Sequence, residues 1–191
     1  MLAIGLTLAL ALAVAAPPGA VAAEDPQVLS SDQGWQLVRI EDPFAKKSRQ
    51  CHIRSVTDIE GGRRERPLVI VDLTSRRIEV RPETTFLGAV ELNRALQGGR
   101  GDSPGRHGVE VEQGLRVDDG EIHAVRTVDD GATTLNAVFE GPDYEALLPA
   151  MRSGRVVHYL WAVKTSRKAF TLPLDGLGRL WEQAQEACPG S

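Results

Sequence analysis

Val156-Val-His-Tyr-Leu-Trp-Ala-Val163 is an eight-residue apolar stretch interrupted only by His158. It is short, β-branched and aromatic, and so reads as a strand; a helix would need more residues and a 3.6-residue period. Because the run is continuous, both faces are apolar, which predicts a central strand covered on both sides. Phe170-Thr-Leu172 is the expected pairing partner, and His158 is expected to be a hydrogen-bonded core histidine.

The period changes on either side of this stretch. Upstream, Tyr144, Leu147, Leu148 and Met151 recur at helical spacing after Gly141-Pro142-Asp143. This predicts a short helix capped by Asp143, stopped by Gly154 and weakened by Pro149. Downstream, Leu177, Leu180, Trp181, Ala184, Ala187 and Cys188 form one apolar stripe, with Arg179, Glu182, Gln185 and Glu186 on the water side. That is an amphipathic helix, with Asp175 as its expected cap.

Everything earlier in the mature chain reads as β. Trp35–Ile40, Gln50–Val56, Phe86–Leu92, Val109–Val117, Ile122–Thr127 and Leu135–Phe139 are strand candidates separated by Gly, Asp or Pro. Pro67-Leu-Val-Ile-Val-Asp-Leu73 and Arg76-Arg-Ile-Glu-Val-Arg81 flank Thr74-Ser75 and predict a hairpin. Residues 24–34 are polar and read as a flexible lead-in, and residues 35–191 as one domain. The expected fold class is therefore α+β, mainly β with two helices. Trp35, Trp161, Trp181 and Phe170 are expected in its core.

Residues 1–23 carry no charge, and Leu2–Ala16 is nearly unbroken Ala, Leu, Val and Ile. The run is short for a bilayer span and ends at Pro17-Pro18-Gly19, ahead of Val21-Ala22-Ala23. It reads as a signal peptide cut near Glu24, which implies a periplasmic or secreted product with no membrane span after cleavage. No Lys or Arg precedes the apolar core, so a start further upstream is a second reading. In an oxidising compartment Cys51 and Cys188 are expected to pair, on the order of 4 kcal/mol in the chain-entropy model; two free buried thiols are the alternative.

The charge balance, 22 basic against 26 acidic residues, offers no general field for nucleic acid. The mixed cluster Arg63-Arg64-Glu65-Arg66 reads as a solvated loop. No metal site is expected from His52, His107, His123 and His158, since His107 and Glu110 would face opposite sides of a strand. No cofactor and no catalytic set is expected either. The chain lacks G-x-S-x-G, and Asp118-Asp119 and Asp129-Asp130 each precede a Gly, which is turn chemistry first. Gly98-Gly99 and Pro104-Gly105 place Arg100, Gly101, Asp102 and Ser103 at a loop tip, a possible binding loop of the RGD type.

Several stretches together carry a resemblance: Leu115-Arg-Val-Asp-Asp-Gly120, Gly141-Pro-Asp-Tyr-Glu-Ala-Leu-Leu-Pro-Ala-Met-Arg-Ser-Gly154, Phe170-Thr-Leu-Pro-Leu-Asp-Gly-Leu-Gly-Arg-Leu-Trp181, Gly34-Trp35, and the Cys51 strand after Asp42-Pro43-Phe44. In this order they resemble the periplasmic invasion-associated locus B family, as a divergent relative without that family's mid-domain cysteine pair. The resemblance implies a secreted β-sandwich-like domain, tied to the envelope and in some members to host-cell entry, with no known enzymatic mechanism. The expected function is thus a non-enzymatic envelope accessory or interaction protein with an envelope or host protein as partner. An adhesin reading the Arg100–Ser103 loop and a periplasmic hydrolase are the alternatives.

Overall fold

The computed structural model describes residues 26–41, 49–57, 59–60, 63–98, 108–129, 135–164 and 166–189. The elements begin with β1 (Gln27–Asp32), β2 (Trp35–Glu41), β3 (Arg49–Ser55), β4 (Ile59–Glu60) and β5 (Arg63–Arg64). They continue with β6 (Leu68–Asp72), β7 (Arg77–Arg81), α1 (Thr84–Gly98), β8 (Val109–Val117) and β9 (His123–Asp129). The last are β10 (Ala137–Glu140), α2 (Pro142–Ser153), β11 (Val156–Val163), β12 (Ser166–Pro173) and α3 (Leu177–Ala187). One antiparallel sheet has the order β1-β2-β3-β6-β7-β10 and a second β12-β11-β8-β9, while β4 and β5 pair alone.

Register explains why both sheets share one core. Leu37, Ile53, Val71, Ile78 and Phe139 lie directly opposite one another on five successive strands. All five are essentially inaccessible, so this row is the floor of the larger sheet's inner face. Leu115, Tyr159 and Phe170 form the corresponding row of the smaller sheet, and the buried cluster runs unbroken through both sheets and all three helices. β6 behaves as its continuous apolar run predicts, since Val69, Ile70, Val71 and Asp72 are buried on both faces.

Two expectations are corrected here. The stretch 86–92 is helix, not strand: Phe86, Val90 and Asn93 face inward at helical spacing. Leu87, Leu92 and Leu96 are 42%, 60% and 66% exposed, and apolar residues on both sides of the helix hid its period in the sequence. The described residues therefore contain three helices and not two. The expected lead-in, 24–34, contains β1, which pairs with β2 through a tight turn at Gln33 and Gly34, both at positive φ.

α3 closes the molecule over the β1-β2-β3 end. Leu177, Leu180 and Ala184 are buried, and α3 lies against all three strands. Its start is fixed by Trp35 Nε1 donating to the Pro173 carbonyl at 2.8 Å and by Arg179 Nε on Asp32 Oδ2 at 2.5 Å. Gly176, not Asp175, occupies the cap position, and no side chain caps the helix. Likewise α2 starts from Gly141 with Pro142 in its first turn, and Asp143 binds His123 Nδ1 at 2.8 Å instead of capping. α2 runs through Pro149 and stops at Gly154. Trp35 and Trp161 are in the core as expected, whereas Trp181 and Phe170 are half-buried at its margin, under Arg152 and Lys168.

One carboxylate is inside this core. Glu83 has no exposed surface; Trp161 Nε1 donates to its Oε1 at 2.9 Å, and its Oε2 has no hydrogen-bond partner among the described residues. Burial pushes its carboxyl above the usual range, against the opposing pull of its own and Phe86's backbone N–H groups and of Trp161 and Lys168. The folded state therefore takes up this proton more readily than the unfolded chain does. Its stabilising effect is fully present below the ordinary value of 4.5 and is lost as pH rises through the folded value. Glu83→Gln keeps an acceptor for Trp161 and removes the charge. It is expected to raise stability at neutral pH by on the order of 1 kcal/mol, with the gain vanishing in acid. Thermal melts of both proteins across this range check it, and parallel profiles would reject the assignment.

Candidate functional site

β11 is where sequence and structure part in an informative way. Val157, Tyr159, Trp161 and Val163 are buried, but Val156, His158, Leu160 and Ala162 are only half-covered. The strand is central, between β12 and β8, yet only one of its apolar faces is inside the protein. The residues meant for a second cover line an open surface.

The register maps that surface. Ala169, Leu160, Gly114 and Ala124 stand opposite one another on β12, β11, β8 and β9, forming one apolar row across the whole sheet. Arg167, Ala162, Glu112 and Arg126 form the next row. Between and beside them lies a cavity of about 520 Å³, lined by Gly114, Ile122, Ala124, Leu160, Ala162 and Ala169 with Glu112 and Arg167 at its rim. That volume is within the range of ligand-binding clefts.

Gly114 shapes the floor. A Cβ there would approach Ile122 Cγ2 to 3.1 Å and the His123 carbonyl to 3.2 Å, so Ile122 leans over a position where only glycine leaves the backbone bare. Ile122 is itself half exposed, at 50%. Among the described residues Arg126 faces Glu110 at 3.9 Å, whereas Arg167 and Glu112 make no ion pair. The cavity thus has an apolar centre, with Glu112, Arg167 and Lys168 as the charged residues among its lining.

The buried side of the same strands holds this floor rigid. Tyr159 donates to Gln113 Oε1 at 2.6 Å, and Gln113 Nε2 donates to the Leu135 carbonyl at 3.0 Å. Burial, helped by the Glu83 charge, pushes the Tyr159 hydroxyl far above its usual range, so it remains a donor. A buried polar group with all its partners fixes register, because shifting the strand by one residue would strand each of them.

The other residues singled out in the sequence do not converge here. Cys51 and Cys188 are bonded, with Cα atoms 6.4 Å apart, and tie α3 to β3. Arg100, Gly101, Asp102 and Ser103 lie outside the described residues, as do residues 1–23 and His107. His52 is on the outer face of the larger sheet, where burial holds its pKa below 6.5 against the pull of Asp72. His158 is not a core histidine; it shares a hydrogen bond with Thr171 Oγ1 at the surface, 3.0 Å away. Asp118 serves a turn, accepting from the backbone N–H groups of Arg155 and Val156 at positive φ. Among the described residues no three His, Cys, Asp or Glu side chains gather in a way that could hold a metal ion.

No family model matches the chain, and no curated protein or solved structure shows significant similarity to it. The function therefore has to be read from the site. Gly114 is the residue that sequence reasoning passed over: a glycine inside Val109–Val117 signals close approach of another group to the strand.

Proposed function

We propose that this is an exported, non-enzymatic interaction protein of the cell envelope, periplasmic or secreted, which engages its partner through the outer face of β8, β9, β11 and β12. The observation that carries the reading is the apolar row Ala169-Leu160-Gly114-Ala124, in which Ala169 and Ala124 are exposed, Leu160 is half-exposed and Gly114 lies beneath the exposed Ile122. An uncovered apolar surface with a polar rim marks an interaction site, because water is better displaced from it by a partner than ordered over it. Export is supported by the Cys51–Cys188 disulfide, which reducing compartments disfavour, and by the uncharged apolar leader. No helix among the described residues is long and apolar enough to cross a membrane. The sandwich-like arrangement and the kinship with invasion-associated locus B proteins belong to the same reading, resting on the quoted stretches of sequence.

A photo-reactive amino acid placed at Ile122 tests this in the native envelope, with the same group at Glu182 on the exposed side of α3 as control. A discrete cross-linked product at Ile122, not formed at Glu182 and lost when Ala169→Trp fills the trough, is the expected result. Equal labelling at both positions, or none at Ile122, would remove this face as the interaction surface.

A further inference from the structure

Glu83 stands just ahead of α1, where the helix meets the smaller sheet. Phe86, in the first turn, packs edge to face on Trp161 with ring centroids 5.3 Å apart, and the same indole donates to Glu83 Oε1. Glu83 and Phe86, both without exposed surface, are thus two handles on one residue of β11. Further along, Val90 and Asn93 face inward, but Asn93 Nδ2 donates to the Ala89 carbonyl of its own helix at 2.8 Å, and Leu87, Leu92 and Leu96 face water. Lys168 of β12, exposed and with Nζ 3.5 Å from Thr85 Oγ1, is the cation acting on Glu83. β11 adds the Tyr159 hydroxyl, which stays protonated, and β8 presents the uncharged Val111 and Gln113 on its inner face. Arg64 of β5 reaches the same turn through its backbone N–H on Thr84 Oγ1 at 3.1 Å, with the Arg81 charge near it. A buried carboxyl with one oxygen bare among the described residues is tolerated as the neutral acid; once ionised, it is solvated only if the turn lifts.

We propose that Glu83 is a proton-controlled latch for α1: protonated, it holds the first turn of the helix on Trp161; ionised, it releases that turn and the Phe86 face to solvent while both sheets stay folded. The direction follows from linkage. Docked α1 holds the Glu83 proton more tightly than released α1, so docking is fully favoured below the ordinary value of 4.5 and weakens as pH rises through the docked value. Each unit between the two values changes the released fraction about tenfold. Lys168 opposes release, because its charge steadies the ionised acid in place. α3 is cross-linked to β3, and the sheets are held in register by their buried rows, so the release is confined to α1. Nothing in this device depends on what the outer face of the smaller sheet binds.

Amide hydrogen exchange of the folded, disulfide-bonded protein from about pH 4 to 8 tests it, each rate being divided by that of an unstructured chain at the same pH. The amides of Leu87, Gly88, Ala89 and Val90 are expected to lose protection about tenfold or more as pH rises, and to lose none in Glu83→Gln. At the upper end they should be at least about tenfold less protected than Val69, Ile70 and Val71 of β6, and insensitive to low denaturant, as a local opening is. The Trp161 indole N–H resonance should move over the same interval in the wild type and stay fixed in the variant. Lys168→Met, a change at an exposed position, should deepen the loss and carry it to higher pH. Equal protection of α1 and β6 with the same response to denaturant would make the release a global unfolding and overturns the latch. So does a fall with pH that persists in Glu83→Gln, or no fall at all. If Glu83→Gln does not fold, Lys168→Met decides, and an unchanged profile there rejects the latch as well.

Discussion

Replacing both Cys51 and Cys188 by Ala is expected to cost about 2–5 kcal/mol, which in a domain of this size lowers the melting temperature by roughly 4–20 °C. The bond joins residues 137 positions apart, so in the chain-entropy account it removes a large share of the unfolded chain's freedom. Both cysteines are buried, and Cys51 faces the core beneath α3, so Ala in place of Cys avoids leaving a hydroxyl there without a partner. Denaturant titration of the oxidised, reduced and double-Ala proteins separates cross-link from side chain. Reduced and double-Ala proteins should unfold together, well below the oxidised one. Coincidence of all three curves would mean that α3 is held by packing alone.

Gly176→Ala is expected to be as damaging, by a different route. Gly176 has φ 91°, and a Cβ there would fall 2.6 Å from the Asp32 carbonyl oxygen, which is backbone and cannot rotate away. Left-handed strain and the enforced separation of α3 from the β1-β2 hairpin together come to about 2–4 kcal/mol. Gly88→Ala is the matched control. It lies in α1 with open space around its Cβ position, so it should stabilise by about 0.5–1 kcal/mol. Opposite signs for these two Gly-to-Ala changes, read by equilibrium unfolding, are the expected outcome; equal small effects would show that the close approach at Gly176 relaxes without penalty.

The sequence carried the strands well wherever one residue type dominated a face. The continuous run in 68–73 and the short run before Asp42 both pointed to β, and the stripe from Leu177 to Cys188 to α3. The disulfide was expected from two cysteines in a chain whose residues 1–23 are uncharged and largely apolar, a pattern read as an export signal. What stayed hidden has a common cause. α1 exposes leucines on the side where a helix of this kind is normally polar, and β1 buries little, so neither showed a clean period. Cross-strand neighbours are set by pairing between distant segments, and local pattern does not encode that order. The apolar row over Gly114 needed four strands in register to become visible. The same property of β11, apolar on both sides, had the simpler reading of a strand covered twice.

The placement of α3 has a consequence for the order of events after synthesis. The β1-β2 hairpin is among the first structured segments to emerge, but the surface it must bury is supplied by a helix some 140 positions later. Until that helix arrives, Trp35 and Leu37 have no lid, and Cys51 has no partner. On the export reading proposed above, a first hairpin whose buried surface is completed only by the last helix would suit a chain that has to stay unfinished until it has been translocated. Lid and thiol then find their places together once the whole length is available, and on that reading an oxidant at the point of arrival would act as the latch.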